Sequence, residues 1–238
     1  MNKPYQISLL TKLLSFLFPQ RIEIAEGHGG EYLEVIVNNG KLMLNANQSN
    51  YSFGGLHLIF EQLFNQIEID KYDIKKVLLL GLGAGSVVDL LINKHGIKCE
   101  ITGVELDATV IDFAKKYFDI EQYKSLKIVQ ADAFEYVQQC NDKFDLIVVD
   151  LFIGDTVPSA FASERFISNL KRLSNEKCCV AYNKMTDDPK HKEELKILSL
   201  LFDSAFTGWK LYTIYAYGYQ NSLICFNNLK LKKQINFW

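Results

Sequence analysis

The chain has 238 residues, 48% of them hydrophobic, and its formal net charge at pH 7 is −2. This length suits one α/β domain with a small extension, and the apolar share is sufficient for a large buried core. Since the chain has no overall basic field, we expect neither a nucleic-acid partner nor attraction to anionic lipid.

The first part of the chain predicts a helix and a small antiparallel sheet. Leucines recur with helical spacing over residues 5–18, a segment shorter than the roughly 20 residues that a membrane span needs. We therefore expect an amphipathic helix that covers the core or contacts a second subunit, without membrane binding. Alternating apolar residues between turn signals predict strands at residues 21–24, 32–37 and 42–44, followed by a helix at residues 54–66.

From residue 76 onward, strand and helix patterns alternate. Short apolar runs predict strands at residues 77–80, 100–104, 126–129, 144–149 and 178–182. Helices are expected at residues 86–94, 108–118, 158–173 and 190–206, with a short one from residue 133 and a final hairpin of residues 211–217 and 222–226. This order predicts a mostly parallel, doubly wound sheet with an antiparallel end. The domains expected are residues 1–66, with the small sheet, and residues 67–238, with a Rossmann-like fold.

The cysteines and histidines do not indicate a metal site. The five cysteines, an odd number, have spacings typical of neither a zinc site nor a redox pair. We expect core thiols in a reducing compartment. His28, His95 and His191 stand alone and are interpreted as surface or loop residues. No signal-peptide pattern is present, so a cytoplasmic location is expected.

A glycine-rich loop, Gly81-Leu-Gly83-Ala-Gly85-Ser86, directly follows the first apolar strand. Glycine permits sharp turns and close approach of a ligand, and the helix that begins there favours anionic or polar ligand groups. The dinucleotide pattern G-x-G-x-x-G would need glycine or alanine at Ser86. The spacing therefore favours a nucleoside sulfonium ligand over NAD, although a purely structural turn is the alternative.

Acidic residues follow the next three strands. Glu105 lies 20 residues after Gly85 (105 − 85), where an acid can accept hydrogen bonds from ribose hydroxyls. Asp107 is expected to be the N-cap of the next helix. Asp132 can accept from an adenine amino group or cap a helix. Asp150 can orient an acceptor amine or take its proton, or be a loop acid. Asp155 is a weaker candidate that can cap a turn.

In this order, these sites resemble the spermidine synthase family of the class I methyltransferase fold. The resemblance covers roughly residues 21–226 and includes the N-terminal sheet. It implies that the donor site contains Gln48, Gly81, Gly83, Gly85, Glu105 and Asp132. It further implies that Asp150 is catalytic, that His57 binds the acceptor, and that the protein is a homodimer. Asp155, which follows in the same loop, is the other candidate for binding the acceptor.

The chain also departs from the family pattern. Ala84 stands where the family has an aspartate that holds the amine of decarboxylated S-adenosylmethionine. Without that acid, the carboxylate of intact S-adenosylmethionine is not repelled. Ile153 replaces the second acid of the catalytic loop, and Leu56 replaces a tyrosine beside the substrate histidine.

These features predict a transferase that uses S-adenosylmethionine to methylate a small, amine-bearing acceptor. One alternative is an aminopropyltransferase that uses decarboxylated S-adenosylmethionine. A second is a non-catalytic nucleoside-binding module or interaction protein, because two acids are missing from the site. An NAD-dependent oxidoreductase is the remaining alternative, and Ser86 is the feature against it.

Overall fold

The structure is a computed structural model, which describes residues 5–46, 49–152, 157–216, 219–229 and 231. Its N-terminal part contains one helix and a four-stranded antiparallel sheet in the order β1-β2-β3-β4. These elements are α1 (Leu9–Leu14), β1 (Gln20–Glu26), β2 (Tyr32–Asn38), β3 (Lys41–Ala46) and β4 (Ser49–Ser52). The three expected strands are confirmed. The fourth strand was not expected, because its sequence, Ser-Asn-Tyr-Ser, lacks an apolar alternation.

The first helix does not cover the core of the described chain, contrary to one expectation. None of its residues is buried, and Leu9 is 74% exposed. It is attached through polar contacts of Ser15, whose carbonyl accepts from Asn39 N at 3.0 Å and whose Oγ accepts from Gly40 N at 2.9 Å. No helix in the described ranges is both long and apolar enough to cross a membrane.

The larger sheet has seven strands: β5 (Lys76–Leu80), β6 (Glu100–Glu105), β7 (Leu126–Gln130), β8 (Phe144–Val149), β9 (Ser174–Met185), β10 (Lys210–Ala216) and β11 (Tyr219–Asn227). Their order is β10-β11-β9-β8-β5-β6-β7. The five strands β5 to β9 are parallel to one another. The β10–β11 hairpin is antiparallel, and β11 pairs antiparallel with β9. The predicted doubly wound sheet with an antiparallel end is therefore confirmed.

Helices cover both faces of this sheet. They are α2 (Gly55–Gln66), α3 (Ser86–Asp89, continued by a π turn over Leu90–Lys94), α4 (Ala108–Tyr117), α5 (Ala133–Gln139), α6 (Glu164–Leu173) and α7 (Pro189–Ala205). Alternate residues of β5 belong to two different hydrophobic clusters. Val77 and Leu79 pack with α2, α3 and α4, whereas Leu78 and Leu80 pack with α5, α6 and α7. Burial on both faces explains why this strand is uniformly apolar.

Two expectations about the second half of the chain were wrong in detail. The helix expected at residues 158–173 is split into a 3₁₀ turn, Ser159–Ala162, and α6. The break lies at Ser163, whose extended backbone and side-chain bond to Phe166 N at 3.3 Å make it the N-cap of α6. His191 is not a surface residue, since it is buried in the first turn of α7. The cysteines are free thiols, four of them buried and Cys140 half-buried.

The two sheets are joined by specific polar contacts. Asp107 caps α4 by accepting from Thr109 N at 2.7 Å, as expected, and its other oxygen accepts from His28 N at 2.7 Å. Glu23 of the small sheet accepts from both Lys116 and Tyr117 of α4. The core that includes Val77 also contains residues of the small sheet. The small sheet is therefore anchored on the larger one close to the end of β6.

Replacing Asp107 tests this junction. We expect Asp107→Ala to lower the free energy of unfolding by about 2–3 kcal/mol, because it removes both a helix cap and a hydrogen bond between the sheets. Asp188→Ala is the control, since Asp188 caps α7 through His191 N at 2.7 Å; its loss should be about 1 kcal/mol. Urea denaturation measures both. Equal losses would mean that the bond to His28 adds no stability.

Candidate functional site

The ends of four parallel strands meet at one edge of the larger sheet. Leu80 pairs with both Val104 and Val149, and Val149 pairs with Tyr182. The residues that follow these positions are Gly81, Glu105, Asp150 and Asn183, so they form a row across the edge. The row crosses the switch point between β5 and β8, where ligands bind in doubly wound sheets.

The glycine loop turns where only a very small residue fits. Gly81 has φ +87°, and a Cβ on it would lie 2.1 Å from the carbonyl oxygen of Asp150. Gly85 has φ +95°, and its Cβ would lie 2.1 Å from Cδ1 of Ile120. The obstacle at Gly81 is backbone and cannot move aside as a side-chain end can. Gly81 therefore permits the direct packing of the loop against the end of β8.

Glu105 is built into this loop. It is 4% exposed, and its carboxylate accepts from Gly83 N at 2.9 Å, Leu106 N at 2.9 Å and Asp107 N at 3.1 Å. Burial raises the pKa of Glu105, and these three N–H groups oppose that rise. A carboxylate has about four acceptor positions, so capacity remains for a ligand hydroxyl.

Asp132 has the capping role that was one of the two considered from the sequence, and its position in the cleft is compatible with the other. Its Oδ1 accepts from Glu135 N at 3.0 Å, which makes it the N-cap of α5. The same residue lines the cleft described below, next to the aromatic rings of Phe134 and Phe161. A helix cap and a ligand contact are compatible, because the cap uses one of the two carboxylate oxygens.

Asp150 directly follows β8 and is half-buried. Its Oδ1 accepts from Nδ2 of Asn183 at 2.9 Å. Burial raises the pKa of Asp150 to about 7, the bond from Asn183 opposes this rise, and the negative charge of Glu105 adds to it. A carboxyl group with this pKa exchanges a proton readily near neutral pH.

A cleft of about 600 Å³ lies over the row of strand ends. Gly81 is among its lining residues, and six carboxylates line it: Glu31, Glu105, Asp107, Asp132, Glu135 and Asp150. Among the described residues that line it, none is lysine or arginine. This electrostatic environment favours a cationic ligand and disfavours phosphates.

Among the expected site residues that the structure describes, Gly83, Gly85 and His57 are not in the lining of this cleft. Gln48 and Asp155 lie outside the described residues. His57 lies in the first turn of α2, stacks on Phe53 with ring centroids 5.9 Å apart, and is not among the cleft residues. Burial lowers the pKa of His57, and nearby Asp89 partly offsets this. The donor-site role of Gln48 and the acceptor-binding roles of His57 and Asp155 stay predictions.

Sequence reasoning missed Asn183 and Ser52. Asn183 directly follows the apolar run of β9, and a polar residue at that position was the signal that could have indicated a site residue. Ser52 belongs to β4, and its Oγ accepts from Ala84 N at 2.9 Å, so the small sheet contacts the glycine loop. No sequence pattern connects Ser52 with Ala84, which lies 32 residues further along the chain. In the described ranges, no group of three His, Cys, Asp or Glu residues is arranged to hold a metal ion.

The sequence comparisons give one family and two kinds of transferase relative. Residues 59–237 match the family described as Spermine/spermidine synthase domain. The chain is 26% identical over 180 residues to an eEF1A lysine and N-terminal methyltransferase homolog of Drosophila melanogaster, covering 68% of this chain and 26% of that protein. It is 31% identical over 122 residues to a polyamine aminopropyltransferase of Sulfurisphaera tokodaii, covering 48% and 40% respectively. The chain thus spans less than half the length of either relative.

Solved structures are similar in fold. A probable spermidine synthase from Corynebacterium glutamicum superposes with a TM-score of 0.72 at 16% identity, covering 88% of this chain and 81% of that chain. Human methyltransferase-like protein 13, in complex with SAH, gives 0.55 at 20% identity, covering 77% and 85%. These identities support a statement about fold alone, and the expected Rossmann-like methyltransferase fold is confirmed.

The packing at Gly81 can be tested by adding one methyl group. We expect Gly81→Ala to lower the free energy of unfolding by at least about 3 kcal/mol, because strain at positive φ is combined with a backbone clash. Gly96→Ala is the control: Gly96 has φ +62° with nothing within 4 Å of its Cβ position, so about 1–2 kcal/mol is expected. Urea denaturation of both variants measures the two losses in the free energy of unfolding. Equal losses would show that the backbone clash at Gly81 does not exist.

Proposed function

The chain belongs to the spermine/spermidine synthase family, and on this basis we propose that it is an S-adenosylmethionine-dependent transferase that methylates a small, amine-bearing acceptor. The observation that carries the proposal is the row of Gly81, Glu105 and Asp150 beneath an acidic cleft. Such a row would let a loop that binds a nucleoside and a group that accepts a proton act side by side. Transfer to a positioned nucleophile depends mainly on alignment, so few catalytic groups are needed.

The charge of the cleft supports a sulfonium donor. Six carboxylates and no described lysine or arginine line it, whereas NAD carries a pyrophosphate that would need cationic or N–H partners. Glu105 is proposed to accept from the ribose hydroxyls, and Asp132 from the adenine amino group. Phe134 and Phe161, which line the same cleft with ring centroids 6.4 Å apart, would contact the adenine ring.

Ala84 supports the intact donor over the decarboxylated one. It lies in the glycine loop, fully buried, and its N–H is taken by Ser52 Oγ. An acid at this position would repel the carboxylate of S-adenosylmethionine, and alanine removes that repulsion. The alanine side chain therefore leaves room for the carboxylate of S-adenosylmethionine. The Ala84 N–H is not needed to bind that carboxylate, because it already donates to Ser52.

An amine acceptor is supported from two sides. Both curated relatives have names that specify amine-bearing acceptors, a polyamine in one case and lysine or an N-terminus in the other. In this chain, Asp150 lines the cleft with a pKa near neutrality, as removal of a proton from an ammonium group requires. A homodimer and a cytoplasmic location stay part of the proposal.

Aminopropyl transfer is the second candidate. The acidic cleft favours it, because a polyamine and decarboxylated S-adenosylmethionine are both strongly cationic. Ala84 and Ile153 are the features against it. A non-catalytic nucleoside-binding module is the third candidate, and it would bind a donor without turnover on any amine.

Glu105 should be essential for donor binding. We expect Glu105→Ala to abolish detectable binding of S-adenosylmethionine in calorimetry, because charged hydrogen bonds to the ribose are lost together with the anchor of the Gly83 N–H. Glu135→Ala, which removes an exposed acid from the same cleft, should retain affinity within about threefold. Circular dichroism controls for folding. Unchanged affinity in the folded Glu105 variant would refute this placement of the donor.

The decisive experiment compares the two donors by calorimetry. We expect S-adenosylmethionine to bind at least about tenfold more tightly than its decarboxylated form, a difference of about 1.4 kcal/mol. The opposite preference would favour aminopropyl transfer. Absence of binding to either compound would contradict the proposed donor site altogether.

A further inference from the structure

Strand β9 contains a buried amide side chain, that of Asn183. Asn183 is 0% exposed, and its Oδ1 has no hydrogen-bond partner within the described part of the chain. Leaving a buried acceptor unpaired costs about 1–3 kcal/mol, so packing alone does not account for an amide at this position. Buried polar groups that are incompletely satisfied require another explanation, and a role at a functional site is one.

The other end of the same amide supplies that explanation. Nδ2 of Asn183 donates to Oδ1 of Asp150 at 2.9 Å, and the pairing of Val149 with Tyr182 places the two residues abreast. Asp150 lines the cleft, whereas Asn183 is fully buried and is not among the lining residues. The hydrogen bond therefore fixes Oδ1 on the protein side and leaves Oδ2 for the cleft.

The charged groups around Asp150 show why it matters that its hydrogen-bond partner, the Asn183 amide, is uncharged. Glu105, from β6, is the charge that acts on Asp150 through space. Lys184 is adjacent to Asn183 in sequence, but strand alternation directs it to the opposite face, where it pairs with Glu194 at 2.5 Å. A cationic partner would hold Asp150 permanently ionised, whereas an amide stabilises the carboxylate without preventing protonation.

We infer that Asn183 is a positioning residue for Asp150, holding Oδ1 so that Oδ2 accepts a proton from the nitrogen of a cationic acceptor amine. The inference rests on the proposed function. In this step the N–H bond of the acceptor ammonium breaks and an O–H bond forms at Oδ2. The nitrogen keeps the electron pair and becomes a neutral nucleophile, and Asp150 becomes a neutral acid.

The test is a titration of Asp150 by ¹³C carboxyl NMR, which requires no substrate. The signal is assigned by its loss in Asp150→Asn. In the wild-type protein we expect a midpoint at about 7. In Asn183→Leu we expect the midpoint to rise by about one pH unit or more, because the hydrogen bond to the charged form is lost.

A matched control separates positioning from packing. Asn221 lies on the neighbouring strand β11 and is 2% exposed, and its buried Oδ1 likewise has no hydrogen-bond partner among the described residues. Its pairing with Met185 places it diagonally from Asn183 on the same face. Asn221→Leu should leave the Asp150 midpoint unchanged. An unchanged midpoint in Asn183→Leu, or an equal rise in both variants, would overturn the inference.

Two further measurements keep the test decisive. If Asn183→Leu does not fold, Asn183→Asp replaces it; two coupled carboxyl groups should then titrate in two widely separated steps, and a single unshifted step would overturn the inference. Donor binding to the wild-type protein is measured in parallel. Its absence contradicts the proposed function, whereas the titration alone decides whether Asn183 acts on Asp150.

Discussion

The contact between the Gly81 backbone and the carbonyl of Asp150 is the constraint on which the site depends. A side chain at position 81 would meet backbone at 2.1 Å, so the loop after β5 and the end of β8 come together only through glycine. This contact brings the glycine loop next to Asp150, whose pKa burial raises to about 7. Glu105 then fixes the loop from the other side through the Gly83 N–H.

The small N-terminal sheet contributes to the same region. Asp107 joins it to the start of α4 through His28, and Ser52 joins it to the glycine loop through Ala84. Glu23 provides a third attachment at the far end of α4. The small sheet therefore supports the glycine loop directly, in addition to extending the core.

Much of the fold could be predicted because its signals are local. The apolar run of β5, the glycines after it and the N-cap residues Asp107 and Asp132 act over a few positions of the chain. Asn183 could not be paired with Asp150 in advance, since their contact depends on which strand lies beside β8 and in which register. β4 was missed because its four polar residues form a strand through pairing with β3, without an apolar pattern. The exposure of α1 is equally a matter of tertiary structure, because helical spacing does not specify what covers a face.

The acidic cleft has a consequence for the stability of the whole chain. Several carboxylates held together repel one another, and part of the folding free energy is used to keep them close. A cationic donor would relieve this repulsion in the folded state and would have no comparable site in the unfolded chain. Ligand binding and folding are then thermodynamically linked. The concentration of such a donor would therefore influence the fraction of the protein that is folded as well as the rate of the reaction.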